Sequence, residues 1–228
     1  MWTVAWYAPV SLFSLKPPFA TTAGAKSLLV PTPYAVKMAL LDAWIRIEGV
    51  ASGPEVYPLF REAKIAVAPP EHACITNLFT KQLRPRRDSG DEDDTESYFQ
   101  RTIAFREYVS QEGMLGLAIS VSEEAKTVIR RVLPQLDYLG KRGSFLQWRP
   151  PLEETTELDA RFVVLTEADS RFLIWSTMQL VDDCDPVTKF DDVSVFSERR
   201  TTRRQLHVPV PYRKVKASRS YTYYRWST

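Results

Sequence analysis

Cysteine and histidine are scarce in this chain, with two of each among 228 residues. Cys74 and Cys184 lie far apart, and neither has a second Cys or a His at ligand spacing, which argues against a zinc site and, in a reducing compartment, against a structural disulfide. Both read as ordinary thiols, and no metal or cofactor is expected. Long apolar runs are missing as well. No stretch approaches the roughly 20 residues of a membrane span, and the N-terminus lacks the basic, apolar, small-residue order of a signal peptide. A cytoplasmic protein with no membrane partner is the expectation. The third absence is local: from Arg199 to Thr228 there is no Asp or Glu.

That same segment carries nine Lys or Arg, interleaved with Tyr212, Tyr221, Tyr223, Tyr224 and Trp226. The whole chain is formally +2, so the first 198 residues sum to −7 and the basic character sits at one end. Such asymmetry points to a polyanion better than an isoelectric point does. Arginines neutralise phosphate and flat rings accept stacked bases, the pairing used for single-stranded nucleic acid. Arg213, Lys214, Lys216, Arg219, Tyr223 and Trp226 are the candidate RNA contacts here. A solvated basic tail, or an edge strand protected by charge, is the alternative, although disordered tails are usually poor in aromatics.

With 44% hydrophobic and 12% aromatic residues, the chain can bury a core, as one large domain or two small ones. Met1 to Phe13 reads as an opening strand that stops where Lys16-Pro17-Pro18 cannot continue a ladder. Thr32 is placed to cap a helix beginning at Pro33, with Tyr34, Met38, Leu41 and Ile45 on one face. Lys64 to Val67 and Gly113 to Val121 predict two further strands. Ser122-Glu123-Glu124 is a start signal for a second helix, with Val128, Ile129, Val132 and Leu133 buried and Pro134 as its stop. A strand at Ser144 to Trp148 follows the turn Gly140-Lys141-Arg142-Gly143. Strand, helix, strand, insertion, strand, helix, strand is the order of a ferredoxin-like unit, the split βαβ arrangement of RNA-recognition domains. The fold class expected is therefore α+β: a ferredoxin-like domain over 1–150 with an inserted β-hairpin over about 77–112, and a smaller β-rich, basic region over 151–228. In that second region, Arg161 to Leu165 and Phe172 to Trp175 look like strands.

The insertion holds Arg84-Pro85-Arg86-Arg87 and then the acidic run Asp91 to Asp94, a composition that does not build a core. It reads as a projecting hairpin with a disordered tip, or else as a surface loop whose charges compensate. Arg84, Arg86, Arg87, Arg101 and Arg106 line it, and Arg suits phosphate through its bidentate fork. Elsewhere, Lys16 and Lys26 flank a small-residue stretch in which Thr21 and Thr22 add donors; a phosphate contact and a plain loop both fit. Lys141 and Arg142, set between two glycines and followed by Ser144, suit convergence of donors on one phosphate, and equally a simple helix-to-strand turn.

Four of these features resemble the CRISPR-associated protein family five, a backbone subunit of the type I interference complex Cascade. They are the aromatic opening strand leading through Val30-Pro31-Thr32-Pro33 into a helix; the insertion ending at Arg101 to Tyr108, similar to the family's thumb hairpin; the return strand Gly116 to Val121; and the basic turn Gly140 to Ser144. The resemblance covers most of residues 1–150. It implies a noncatalytic cap that holds the 5′ handle of the guide crRNA. The thumb would meet the first backbone subunit, of family seven, and the cap would dock the large subunit, of family eight. Target DNA would be met only through the complex. Guide pairing reads sequence, so such a subunit needs phosphate and stacking contacts rather than base readout. Some members of the family are metal-independent ribonucleases, and that chemistry asks for a general base and acid; His72, His207, Tyr98, Tyr108 and Lys81 are the groups on offer. A metal nuclease built on Asp182-Asp183 or Asp191-Asp192, and a free-standing single-stranded RNA-binding protein, are the remaining alternatives. No catalytic residue is expected.

Overall fold

The computed structural model describes residues 1–20, 24–85, 99–167, 176–194 and 202–227. In chain order the elements are β1 (Trp2–Pro9), β2 (Gly24–Ala25), α1 (Pro33–Glu48), α2 (Gly53–Glu62), β3 (Lys64–Ala68), β4 (His72–Pro85), β5 (Phe99–Glu112), β6 (Leu115–Ser120), α3 (Lys126–Val132), β7 (Leu146–Thr155), β8 (Val163–Val164), β9 (Thr177–Cys184), α4 (Phe190–Val193), β10 (Arg203–Val210), β11 (Tyr212–Ala217) and β12 (Tyr221–Trp226). The expected strand at Phe172 to Trp175 lies outside the described residues. No described helix is long and apolar enough to cross a membrane.

The first sheet runs β7-β1-β6-β3-β8, and its neighbours are all antiparallel. Alternation along each strand divides its side chains between two apolar layers. Ala5, Tyr7, Ile65, Val67, Leu117 and Ile119 face the main core with α1 and α3, while Val4, Ala66, Ala68 and Ala118 pack under Phe162 on the other side. The Tyr7 hydroxyl donates to the Leu133 carbonyl at 2.7 Å and so ties β1 to the turn after α3.

Thr32 caps α1 as expected: its hydroxyl oxygen accepts from the Ala35 N–H at 3.1 Å. The buried face differs from the expected one. It centres on Val36, Leu40 and Ala43, while Tyr34, Met38 and Ile45 are only half-buried, because the helix is wedged between the first sheet, α2 and β9. Helix α2 was not legible in the sequence. Pro58 interrupts its backbone bonding, and its stability comes from burying Val56, Tyr57 and Phe60. Nor is Ser122 the cap of α3, which begins at Lys126 after a turn. Ser122 instead hydrogen-bonds the exposed Glu124 carboxylate, which, with Glu124's own backbone N–H as the larger cause, holds that carboxyl below its usual range.

Strand β7 extends well past the expected end at Trp148, through Pro150 and Pro151 to Thr155. Two prolines fit there because β7 is an edge strand and its register with β1 shifts between Val4 and Trp6. The boundary drawn after residue 150 therefore falls inside a strand. The C-terminal segments are woven into both parts, since β8 pairs with β3 and β12 pairs with β4. This integration follows from the apolar faces of β9 and β10, whose Val181, Val208 and Val210 join the main core.

The second sheet runs β11-β12-β4-β5-β2. Its centre is the β4–β5 hairpin, paired without interruption from His72↔Glu112 to Pro85↔Phe99. Residues 86–98 lie outside the described residues, and with them Arg86, Arg87 and the acidic run. Near its base the edge of β5 is covered. Phe13 bridges to Val109, and Gly24 and Ala25 pair with Phe105 and Arg106.

Candidate nucleic-acid interface

A cleft of about 300 Å³ opens where the segment after β1, the start of α1, the base of β5, the turn at residues 140–143 and the β9–β10 ribbon meet. Its lining brings Lys16, Arg106, Lys141 and Arg203 together with the Tyr34 ring, against one carboxylate, Asp182. The Leu15 N–H donates to Ser27 Oγ at 3.0 Å and the Leu28 N–H to the Leu15 carbonyl at 2.7 Å, which fixes the course of the chain beside Lys16. Arg203 lies 3.6 Å from the Tyr34 ring centroid and pairs with Asp182 at 2.8 Å. Burial pushes the Tyr34 hydroxyl up, and the Arg203 charge partly opposes that. Lys141 Nζ reaches Tyr108 Oη at 3.4 Å and sits 5.7 Å from that ring's centroid. Arg106 Nε is buried and makes no hydrogen bond among the described residues. Cations in excess, one donor unspent and flat rings beside them are groups able to pair with an anion such as phosphate and to stack on flat ligands.

The turn that presents Lys141 depends on its glycines, since Gly140 and Gly143 have φ of 71° and 97°, a region that side-chain-bearing residues rarely adopt. Arg142 is exposed and within hydrogen-bonding reach of the Tyr138 hydroxyl. Ser144 is a correction. It is buried, its N–H donates to the Lys141 carbonyl at 3.1 Å and its hydroxyl oxygen accepts from the Ser14 N–H at 3.3 Å. It builds the turn and does not face solvent. Lys26 is exposed just after β2, but the backbone of Gly24 and Ala25 is paired with β5. Thr21 and Thr22 lie outside the described residues.

The hairpin arginines do not share one surface. Arg84 sits on β4 opposite Gln100. Arg101 and Arg106 have opposite parity on β5, so Arg106 faces the cleft side while Arg101 joins Phe79, Leu83, Phe99, Ile103 and Phe105, all exposed. That side of the hairpin is thus an apolar face bearing an occasional cation. Phe79 and Phe105 pack edge to face on it, with centroids 5.3 Å apart.

In the C-terminal strands the register again sorts the candidates. Arg213 lies opposite Arg225 and Lys216 opposite Tyr223, on the solvent side, and Arg219 is exposed in the β11–β12 turn. Lys214, opposite Tyr224, belongs to the other face. Trp226 is a second correction: it lies on the inner face of the sheet, partly buried, and packs on the core edge to face with the buried Tyr212, centroids 6.2 Å apart. Tyr223 is half-exposed, and its hydroxyl lies 2.7 Å from His72 Nδ1. Two cleft residues, Tyr34 and Arg203, were missed as contacts. Tyr34 directly follows the first helical proline, a position that leaves a side chain at the rim, whereas Arg203 reaches the cleft only through the β9–β10 pairing.

The acidic pairs have structural partners. Asp182 binds Arg203; Asp183 binds Lys37 at 2.6 Å and Arg204 at 3.3 Å; and Asp192 accepts from the Lys189 N–H at 2.9 Å at the start of α4. Among the described residues no group of three or more His, Cys, Asp or Glu is arranged to hold a metal. His207 is exposed on β10 opposite Leu180.

No family model matches the chain. The CRISPR-associated protein Cas5 of Archaeoglobus fulgidus is 30% identical over 137 residues, which span 60% of this chain and 58% of that relative. The match thus reaches less than two thirds of the relative's length. A chain of a CRISPR RNA-guided surveillance complex superposes with a TM-score of 0.53 at 16% identity, covering 92% of this chain and 90% of its own. A CRISPR protein from Archaeoglobus fulgidus superposes with a TM-score of 0.48 at 15% identity, covering 99% of each chain. The resemblance to family five carried by the sequence is borne out by the curated relative, and the surveillance-complex chain shares the mixed α/β fold with antiparallel sheets.

Proposed function

We propose that this chain, similar to CRISPR-associated protein Cas5, is a noncatalytic subunit of a cytoplasmic CRISPR effector complex that holds the 5′ handle of the guide RNA in the cleft beside the β4–β5 hairpin. The observation that carries the reading is the convergence of Lys16, Arg106, Lys141 and Arg203 with Tyr34 at the base of that hairpin. The antiparallel order β7-β1-β6-β3 with α1 and α3 on one side supports a ferredoxin-like core. The exposed apolar face of the hairpin supports its role as the thumb that meets a family-seven backbone subunit, with a family-eight large subunit docked elsewhere on the cap. Target DNA is reached through those partners. Of the acid and base groups named from the sequence, neither His72 nor His207 lines the cleft, whereas Tyr108 meets Lys141 at its edge.

A salt titration of guide-RNA binding tests the site. Each phosphate neutralised on a single strand contributes about −0.7 to the slope of log affinity against log salt. Lys141→Ala and Arg106→Ala are each expected to weaken binding and to flatten the slope by about that amount. Parent-like affinity and slope in both variants rule the cleft out.

A further inference from the structure

The second sheet has an outer face that no layer of the described chain covers. Its inner face packs Ala73, Ile75, Val109, Tyr224 and Trp226 on the core, and the alternate residues point the other way. Three cross-strand rows follow from the register. Tyr221, Thr76 and Tyr108 form the first, Tyr223, Cys74 and Ser110 the second, and Arg225, His72 and Glu112 the third. Lys216 and Arg213 on β11 extend the second and third rows. All of these side chains are half-exposed or exposed.

The pattern is rings around a low floor. Thr76, Cys74 and Ser110 are small, while Tyr221 and Tyr108 flank Thr76 and stand two strand spacings, about 10 Å, from each other, and Tyr221 and Tyr223 are about 7 Å apart along β12. The Tyr223 and His72 rings have planes 17° apart and centroids 5.8 Å apart, joined by the 2.7 Å hydrogen bond. They present a flat pair held in one orientation before any ligand arrives. Cations stand at both ends: Lys141 against Tyr108 on the cleft side, and Arg213, Lys216 and Arg225 on the other. The carboxylates are confined to the far row, where Glu71 lies 3.5 Å from Arg225 and 3.6 Å from His72 Nε2, and Glu112 faces His72.

We infer that this face is a stacking platform for unpaired RNA nucleotides running on from the cleft, with bases laid on Tyr108, Tyr221 and the Tyr223–His72 pair and phosphates met by the cations at either end. The inference deepens the guide-RNA reading and rests on it. Base stacking on a ring is tolerant of sequence because every base has a π face, so the platform holds a strand without reading it.

The test uses the full chain and a fluorescent, unpaired oligouridine of about 12 nucleotides, followed by anisotropy across a salt series. Tyr221→Ala and Tyr223→Ala are each expected to weaken binding on the order of tenfold with an unchanged slope. Tyr223→Phe loses the bond to His72, keeps the ring and is expected to bind like the parent. Lys141→Ala is the arm that reports on the cleft. If it weakens binding while the tyrosine variants match the parent, the platform is overturned and the cleft stands; if the parent itself does not bind, the RNA reading falls with it. Ultraviolet crosslinking of the unaltered chain decides the matter even where an alanine variant fails to fold. Nucleotide adducts on peptides holding Tyr108, Tyr221 or Tyr223 support the platform, and adducts confined to other peptides overturn it.

Discussion

Lys37 and Asp183 meet at 2.6 Å with both side chains about 2% exposed, a charged pair inside the core of a protein otherwise packed with Leu, Val and aromatic residues. Lys37 also donates to the Arg61 carbonyl at 2.7 Å, and the second Asp183 oxygen takes Arg204. The pair therefore ties α1, α2, β9 and β10 together. Removing one partner of such a pair leaves an uncompensated buried charge, at about 3–5 kcal/mol. Asp183→Ala is expected to lower stability by that amount in urea unfolding, and a loss below about 1 kcal/mol sinks this account. The neighbouring Cys184 thiol is pushed up by burial and is expected to be a poor nucleophile. From the sequence, Asp182-Asp183 suggested a metal nuclease with no more and no less force than two adjacent carboxylates in any loop. Lys37 lies 146 positions from Asp183, and Arg203 and Arg204 each lie 21 from their aspartates, and no local pattern reveals such pairings.

Strand parity decides what the hairpin can do. Its two faces carry different chemistry: Arg106 and Tyr108 on the cleft side, and Phe79, Leu83, Phe99, Ile103 and Phe105 on the other, all of the latter more than half exposed. An exposed apolar stripe of this size is the kind of surface that protein partners cover. If the proposed assembly is right, Ile103→Glu together with Phe105→Glu is expected to abolish retention of the chain by the proposed neighbouring subunits on an affinity column, while leaving the salt slope of the proposed RNA binding unchanged. Retained assembly, or a changed slope, contradicts the separation of the two faces. The pairing of β4 with β5 matches one of the two readings of the insertion, a hairpin and not a plain surface loop, and it starts at His72, before the expected residue 77. The hairpin's arginines were not sorted by face, since the parity of Arg101 and Arg106 has meaning only once the register is known.

At the scale of the whole molecule, exposed basic and apolar surfaces on one chain predict poor behaviour in isolation. Coexpressed with its operon, the protein is expected to elute from size exclusion with guide RNA and partner subunits, and a stable monomer that ignores both overturns the proposed role. A second expectation is that replacing His72 and His207 together with Ala leaves guide length unchanged in that complex. Clean cleavage of repeat RNA in chelator by the parent, abolished by either change, reverses the noncatalytic assignment. The sequence by itself determined the elements with strong local signals: the helix capped by Thr32, the strands at Lys64 and Leu115, the glycine turn around Lys141, and the concentration of basic and aromatic residues after Arg199. Each of these follows from propensity, capping or composition within a few residues. Only the tertiary structure decided that Ser144 is buried and Trp226 packs against the core, that β7 runs through Pro150 and Pro151, that the C-terminal strands complete both halves of the molecule, and that Lys16, Tyr34, Arg106, Lys141 and Arg203 share one cleft. Those facts depend on strand register and on packing between segments up to nearly two hundred residues apart, where the burial of apolar faces, and no nearby residue pattern, selects the arrangement.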